Sequence, residues 1–245
     1  MSLDSMLRQI DEQFEVIVVD SLSRDGSRSI LRKRAAVGQI RLIERKCSRG
    51  AGRQIAFENS VGEFVIAHVD MDNFYLPRLM DLVQLYHSHF EGLLLRVDNR
   101  KDEGAGSLTL STRSLLEQLG GWNDLQVGED WDLWRRAAER SLYRWTAYEL
   151  AVRLSAKVEA RRLRHLMNGL RGMRDRYRTS RPMTVRHLPD SAAKLMGYLL
   201  SIGMPRYASA MDEPFLAGSD AYFVPTALAY SKIKGIPDEQ KREIA

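Results

Sequence analysis

Short apolar runs rich in β-branched residues alternate with helical segments through the first part of the chain. The runs that resemble buried strands are residues 15–20, 39–45, 63–70 and 92–98. The segments between them are amphipathic and about ten residues or more in length, which suits a crossover helix. Strands joined by such crossovers pair in parallel, with right-handed connections. The sequence therefore predicts an α/β fold with a mostly parallel sheet flanked by helices.

Cysteine content and hydropathy exclude several classes of protein. The chain has 245 residues and a single cysteine, Cys47, so neither an internal disulfide nor a thiolate metal cluster can form within it. No apolar run reaches the roughly 18 residues of a membrane-spanning helix. The N-terminus also lacks the apolar core of a signal peptide. We therefore expect a cytoplasmic protein, with peripheral attachment to the inner face of the membrane as an alternative.

The positive charge of the chain is concentrated in one segment. Residues 151–190 contain eleven Lys and Arg but three Asp and Glu, whereas the whole chain has a net charge of +5. This change in composition predicts a boundary between a domain at residues 1–152 and a basic, mainly helical C-terminal extension at residues 153–245.

Within the extension, residues 157–178 have apolar side chains at helical spacings of three and four, with arginines over much of the remaining surface. Three interpretations stay open. The helix packs on the domain, lies on an anionic membrane, or binds nucleic acid. Tyr177 is the only aromatic residue in this stretch, which argues against nucleic acid.

Carboxylates follow two of the predicted strands at the point where each strand ends. Asp20 ends the first run, and Asp70 and Asp72 end the third. Ligands of open α/β sheets bind beyond the carboxyl ends of the strands, so these side chains are expected at one crevice. Residues i and i+2 of an extended segment point the same way, and carboxylates suit Mg²⁺ or Mn²⁺. The alternative is a pair of solvated turn carboxylates.

Three motifs in a fixed order resemble a known enzyme family. They are "EVIVVDSLSRDGS", "RGAGRQIAFENSVGEFVIAHVDMDN" and "GGWNDLQVGEDWDLWRRA". Together they resemble the inverting family-2 glycosyltransferases, which have the Rossmann-like GT-A nucleotide-sugar fold. The resemblance covers about residues 3–150. It implies a glycosyltransferase that uses a nucleotide-diphosphate sugar donor and a Mg²⁺ or Mn²⁺ ion.

The resemblance also implies roles for individual residues. Asp20 corresponds to the aspartate that contacts the nucleoside, although Ser21 replaces the second acid that many members carry there. Arg49 and Arg53 lie where the family places groups near the nucleotide, and a guanidinium suits a diphosphate. The Asp70-x-Asp72 pair matches the family's D-x-D motif. Asp72 is expected to be the main metal ligand, with Asp70 near the ribose or the metal.

The third motif implies the catalytic base. Asp130 corresponds to the carboxylate that deprotonates the acceptor hydroxyl, and Glu129 to a residue that orients the acceptor or its own helix. The alternative is that these acids only compensate the helix dipole. The reaction would be a single displacement with inversion at the anomeric carbon. The acceptor would be a glycan or a lipid-linked hydroxyl, as in the synthesis of cell-envelope glycans.

One feature of the family is missing from the sequence. The chain starts inside the family's first helix, so the first strand and its nucleoside-binding loop have no counterpart. We expect this absence to leave strand edges unpaired beside the "VVD" run, and a misplaced chain start is the favoured explanation. The alternatives to an enzyme are a non-catalytic or degenerate nucleotide-sugar-fold protein and, with less support, an Arg-rich nucleic-acid binder.

Overall fold

The structure is a computed structural model. It describes residues 2–71, 73–98 and 107–153, and in the C-terminal part residues 170–171, 174–175, 178, 196, 199–204 and 226–230. Asp72 and most of the predicted helix at 157–178 lie outside the described residues. The boundary between residues 152 and 153 stays a prediction.

The described residues form six helices and nine strands. The helices are α1 (Ser2–Leu7), α2 (Ser27–Ala36), α3 (Arg49–Glu58), α4 (Leu79–His89), α5 (Arg113–Leu119) and α6 (Glu129–Ala138). The strands are β1 (Phe14–Asp20), β2 (Arg41–Glu44), β3 (Phe64–Ala67), β4 (Asn73–Tyr75), β5 (Leu94–Asp98), β6 (Leu108–Thr112), β7 (Tyr143–Ala147), β8 (Ala151–Arg153) and β9 (Thr226–Tyr230).

A seven-stranded sheet organises the described part of the chain, in the order β2-β1-β9-β3-β6-β5-β7, while β4 and β8 pair separately. Strands β1, β2, β3, β5 and β7 run in one direction, and β6 and β9 run in the opposite direction. The predicted α/β fold, with a sheet flanked by helices, is confirmed. The carboxyl ends of β1, β3 and β5 therefore lie along one edge of the sheet.

The sheet is covered on both faces, which explains why its strands are continuously apolar. Alternate residues of a strand point to opposite faces. Val16 and Val18 of β1 join one core cluster with helices α1 and α4. Ile17 and Val19 of the same strand join a second cluster with α3, α5 and α6.

Strand β9 lies between β1 and β3. The sequence analysis predicted an unpaired strand edge at this place, beside β1. Its residues pair antiparallel with β1 on one side, from Phe14↔Tyr230 to Val18↔Thr226. They pair antiparallel with β3 on the other side, from Phe64↔Tyr230 to Ala67↔Ala227. The expectation of an open edge beside β1 is therefore wrong. The strand comes from a C-terminal segment for which the sequence had predicted mainly helix.

The third strand ends earlier than predicted, at Ala67 rather than at Asp70. The reason is His68, whose φ of 72° leaves the extended region. A non-glycine residue in this left-handed region costs roughly 1–2 kcal/mol. The turn ends the strand and directs the His68 side chain toward Asp130 of helix α6.

The position of β9 leads to a prediction about stability. Proline has no N–H, and within sheets it is tolerated essentially only on edge strands or at bulges. Because β9 is paired on both sides, Leu228→Pro is expected to destabilise the fold by on the order of 1–3 kcal/mol, since a ladder hydrogen bond is lost. Urea unfolding measures the change, and Leu228→Ile, which keeps the N–H, serves as the control. A Leu228→Pro variant as stable as this control would contradict the central position of β9.

Candidate active site

Two helices and one strand meet at the edge of the sheet formed by the carboxyl ends of β1, β3 and β5. Helix α3 supplies Arg53, helix α6 begins with Glu129 and Asp130, and His68 follows β3. Helix α3 starts at a side-chain cap, because Ser48 Oγ accepts a hydrogen bond from the Ala51 N–H at 3.1 Å. The acidic first turn of α6 suits the positive end of the helix dipole.

Arg53 is the cation at the centre of this cluster. The residue is 2% exposed, and its Nη1 forms ion pairs with Glu129 Oε1 and, at 2.5 Å, with Asp130 Oδ2. Both carboxylates are themselves buried. One guanidinium thus compensates two acids that are neighbours in the chain, which makes burial of the pair tolerable.

Asp130 receives hydrogen bonds from two further side chains. His68 Nε2 contacts Oδ2, and Trp122 Nε1 donates to Oδ1 at 2.9 Å. His68 Nδ1 is buried and has no hydrogen-bond partner among the described residues. Burial lowers the pKa of His68, and the nearby Arg53 charge lowers it further. The imidazole is therefore neutral at pH 7, with Nε2–H directed at Asp130 and the bare nitrogen directed away.

The two carboxylates have opposite pKa shifts. Burial alone would raise the pKa of Asp130, but Arg53, His68 and Trp122 lower it to about 2. Burial raises the pKa of Glu129, although Arg53 and Arg49 act against the rise. Two acids that share one cation are expected to separate in this way. The pKa of Asp130 thus lies below the ordinary carboxyl value, and that of Glu129 lies above it.

The loop between α5 and α6 is held in place by α3. Gly50 N–H donates to the Leu125 carbonyl at 2.9 Å, and Trp122 N–H donates to Gln54 Oε1 at 2.8 Å. The approach at Gly50 leaves no room for a side chain, since a Cβ there would lie 1.9 Å from the Asn123 carbonyl oxygen. This contact sets the position of the Trp122 indole, and with it the donor to Asp130.

Residues of the C-terminal extension hold the same loop from another side. Asp175 Oδ2 accepts hydrogen bonds from the N–H groups of Gln126 and Val127, at 2.8 and 3.3 Å. Arg178 Nη1 donates to the Asp124 carbonyl at 2.9 Å. Both Asp175 and Arg178 are buried. These two residues of the predicted basic helix at 157–178 therefore pack against the loop between α5 and α6.

Asp20 lies at the end of β1, apart from the Arg53 cluster. It is fully buried, and its two carboxylate oxygens accept from the Ser23 N–H at 3.1 and 3.2 Å. The Arg28 guanidinium lies 3.5 Å from it. These contacts fix the loop after β1. The neighbouring Ser21 hydroxyl donates to the Cys47 carbonyl, which ties that loop to the segment before α3.

The D-x-D stretch lies beside strand β4. The Asp70 carbonyl accepts a hydrogen bond from the Tyr75 hydroxyl at 3.0 Å. Asn73 is buried, and neither its Oδ1 nor its Nδ2 has a hydrogen-bond partner among the described residues. An amide oxygen and carboxylates are ligands that Mg²⁺ and Mn²⁺ accept, so the residues here fit such an ion. The described residues themselves contain no group of three or more His, Cys, Asp or Glu side chains able to hold a metal.

Aromatic side chains border the cluster on the side of β5. The Arg96 guanidinium lies 4.2 Å from the Trp134 ring centroid and 4.9 Å from that of Trp131. Its Nη2 also pairs with Asp98 at 2.7 Å. Trp134 Nε1 donates to Thr109 in the core, whereas Trp131 is partly exposed next to Asp130.

The structure brings together some of the residues that the sequence singled out and separates others. Arg53, Glu129 and Asp130 form one cluster, whereas Asp20 ends β1 and Asp70 lies in the turn after β3. Sequence reasoning missed His68 and Trp122, the two neutral donors to Asp130. Their signals were weak, since His68 lacks metal-ligand spacing and Trp122 stands only in the "GGW" turn.

Comparisons with known proteins identify a family and a fold for the chain. Residues 2–146 match the family model described as Glycosyl transferase family 2. No curated protein sequence matches the chain. The mannosyltransferase PcManGT from Pyrobaculum calidifontis, solved with GDP-Man and Mn²⁺, is 20% identical, with a TM-score of 0.55 over 81% of this chain and 68% of that one.

Two structures of TarS from S. aureus are also similar. TarS 1–349 is 16% identical, with a TM-score of 0.53 over 81% of this chain and 73% of that one. A second TarS structure is 18% identical, with a TM-score of 0.50 over 73% of this chain and 41% of that one. At these identities the similarity establishes the fold, and it agrees with the predicted GT-A architecture.

The ionisation of Asp130 leads to a prediction about acid stability. The pKa of the Asp130 carboxyl group is lowered from 3.8 to about 2 in the folded protein. At pH values above 3.8 this shift stabilises the folded state, and the stabilisation is lost as the pH falls to about 2. Asp130→Asn is therefore expected to cost on the order of 2 kcal/mol at pH 7, and progressively less between about pH 4 and pH 2. Urea unfolding across this range measures it, with the exposed Glu117→Gln as control. A cost that stays constant down to pH 2 would contradict the shift.

Proposed function

The chain belongs to glycosyl transferase family 2, and on that premise we propose that it moves a sugar from a nucleoside-diphosphate donor to an acceptor hydroxyl by a metal-dependent single displacement with inversion. The observation that carries the proposal is the buried cluster in which Arg53, His68 and Trp122 hold Asp130 ionised at the carboxyl edge of the sheet. Asp130 is the general base, and Glu129 completes the charge balance around Arg53.

The hydrogen bonds of Asp130 leave capacity for an acceptor. A carboxylate offers about four lone-pair sites. Oδ2 is taken by Arg53 and His68, whereas among the described residues Oδ1 is bonded only to Trp122. The remaining site on Oδ1 can accept the proton of an acceptor hydroxyl as that oxygen attacks the anomeric carbon. The bond from that carbon to the diphosphate breaks, and its electron pair leaves with the diphosphate.

The donor would bind along the edge formed by Asp20, Arg49 and the D-x-D stretch. Asp20 is proposed to contact the nucleoside and Arg49 the diphosphate. Arg53 also stands in the family's nucleotide-binding position, but its ion pairs with both acids favour a positioning role for it. The related PcManGT was solved with GDP-Man and Mn²⁺, which supports a nucleotide-sugar donor.

Asp70 and Asp72 would hold the divalent cation, either Mg²⁺ or Mn²⁺, with Asn73 beside them. Asp72 lies outside the described residues, and Asp70 and the buried Asn73 amide are the described groups at this place. When bound, such an ion stabilises negative charge on the departing diphosphate.

We propose a glycan or a lipid-linked hydroxyl as acceptor, as in cell-envelope glycan synthesis. Trp131 follows Asp130 in α6 and is 36% exposed, so part of its indole is available to a sugar ring. The basic segment 157–178 is a candidate for contact with an anionic membrane, which a lipid-linked acceptor would require. A cytoplasmic location stays a prediction from the sequence.

A second candidate is a non-catalytic protein with the same fold. The observation that favours it is β9, which occupies a central position in the sheet in the direction opposite to its neighbours. Ser21, where many members have an acid, also favours it. Donor binding and transfer distinguish the two functions.

Donor binding is tested by thermal unfolding with UDP, GDP and dTDP, each with and without Mn²⁺. We expect one nucleotide to raise the melting temperature in the presence of Mn²⁺, since ligands of the folded state stabilise it. Asp72→Asn is expected to abolish the metal-dependent part, while Asp81→Asn in the first turn of α4 is expected to retain it. No shift with any nucleotide would favour the non-catalytic candidate.

Transfer is tested by measuring sugar release from the nucleotide donor identified in that experiment. We expect Asp130→Asn to lower kcat by at least about a hundredfold, because the general base is lost. The KM for the donor is expected to change little. Glu117→Gln, on the exposed surface of α5, is the control for the loss of a carboxylate. An Asp130→Asn variant that keeps its kcat would contradict the assignment of the base.

A further inference from the structure

A cluster of exposed aliphatic side chains lies in the C-terminal extension, away from the candidate active-site residues in the sequence. Met196, Leu199, Leu200 and Ile202 are 48%, 49%, 48% and 60% exposed. We call this surface the apolar face 196–202. Met196, Leu199 and Leu200 have helical backbone, and their spacing of three and four places them on one side of a helix.

The opposite side of the same segment is attached to the protein. Ser201, which follows Leu200, is 2% exposed. A step of one residue turns the helix by about 100°, so Ser201 points well away from Leu199 and Met196. The segment ends in a turn, where the Ile202 N–H bonds to the Leu199 carbonyl at 3.2 Å and Gly203 has a φ of 78°. The apolar side chains therefore point toward solvent, while Ser201 on the other side of the segment is buried.

The charges near this face in the sequence favour one kind of partner. Lys194 and Arg206 flank the stretch in the sequence, and no acidic residue stands between them. The preceding residues 151–190 carry the eleven cations noted above. A second copy of the chain would bring these cations against one another, whereas an anionic bilayer would attract them.

The described part of the basic segment does not offer an equivalent apolar surface. Asp175 and Arg178 are buried against the loop before α6, and Arg174 pairs with Asp175 at 2.7 Å. No helix in the described part of the chain is long and apolar enough to cross a bilayer. A short apolar stretch flanked in sequence by Lys and Arg is typical of a segment that lies in the plane of the interface.

We propose that the apolar face 196–202 inserts into the surface of an anionic lipid bilayer and thereby holds the enzyme at the membrane. The aliphatic side chains would enter the boundary between headgroups and acyl chains, and the neighbouring cations would contact lipid phosphates. The inference extends the proposed transfer to a lipid-linked acceptor. Its test measures membrane binding alone, so failure of binding and failure of transfer are distinguished.

The test is co-sedimentation of the full chain with vesicles of phosphatidylcholine, with and without phosphatidylglycerol. The variant Leu199→Glu/Leu200→Glu is compared with Val37→Glu/Val61→Glu, which adds the same charge at side chains that are 69% and 83% exposed. We expect wild type and the control variant to bind the mixed vesicles. The 199/200 variant should bind at least about tenfold more weakly, since it loses buried apolar area. Leu200→Ser, a milder change, should give an intermediate loss.

Two further measurements make the outcomes decisive. Nucleotide-dependent thermal shifts of each variant report whether the donor site is intact, and sedimentation equilibrium without lipid reports self-association. Equal binding by the 199/200 variant and the control would overturn the proposal and assign the membrane contact to the basic residues. A wild-type dimer that the 199/200 variant dissociates, without vesicle binding by wild type, would overturn it in favour of a second copy as the partner.

Discussion

The described site depends on one buried guanidinium shared by two adjacent carboxylates. Arg53 pairs with both Glu129 and Asp130, and without it two acids would be buried with no cation at hydrogen-bond distance. The arrangement requires α3 and the start of α6 to lie close together, which the backbone contact at Gly50 allows. It also gives the two acids different properties, since the pKa of Asp130 falls to about 2 while that of Glu129 rises.

The sheet provides the frame in which this contact forms. Both of its faces are covered by helices, so its strands are apolar throughout and the polar groups gather at their ends. His68 is another polar group at the end of a strand, and its backbone is strained. Its positive φ ends β3 and turns the imidazole toward Asp130. A backbone irregularity thus supplies a donor that a regular strand would have directed toward one face of the sheet.

The C-terminal extension contributes to the fold at several places. It supplies β9 to the centre of the sheet, and it supplies Asp175 and Arg178 to the loop that carries Trp122. It also presents the apolar face 196–202. In the sequence, the main feature of this extension is its positive charge. In the structure it contributes to the sheet that supports the site and to the surface proposed to contact a membrane.

The sequence by itself determined the local elements and the family. Apolar runs are local properties, so strands β1 and β5 were predicted within a few residues. The ordered motifs also identified Arg53, Glu129 and Asp130 as candidates. Only the tertiary structure decided that β9 pairs between β1 and β3, and that His68, Trp122 and Arg53 converge on Asp130. Such choices depend on contacts between residues far apart in the chain, and no local pattern records which distant partner a strand or a buried polar group will find.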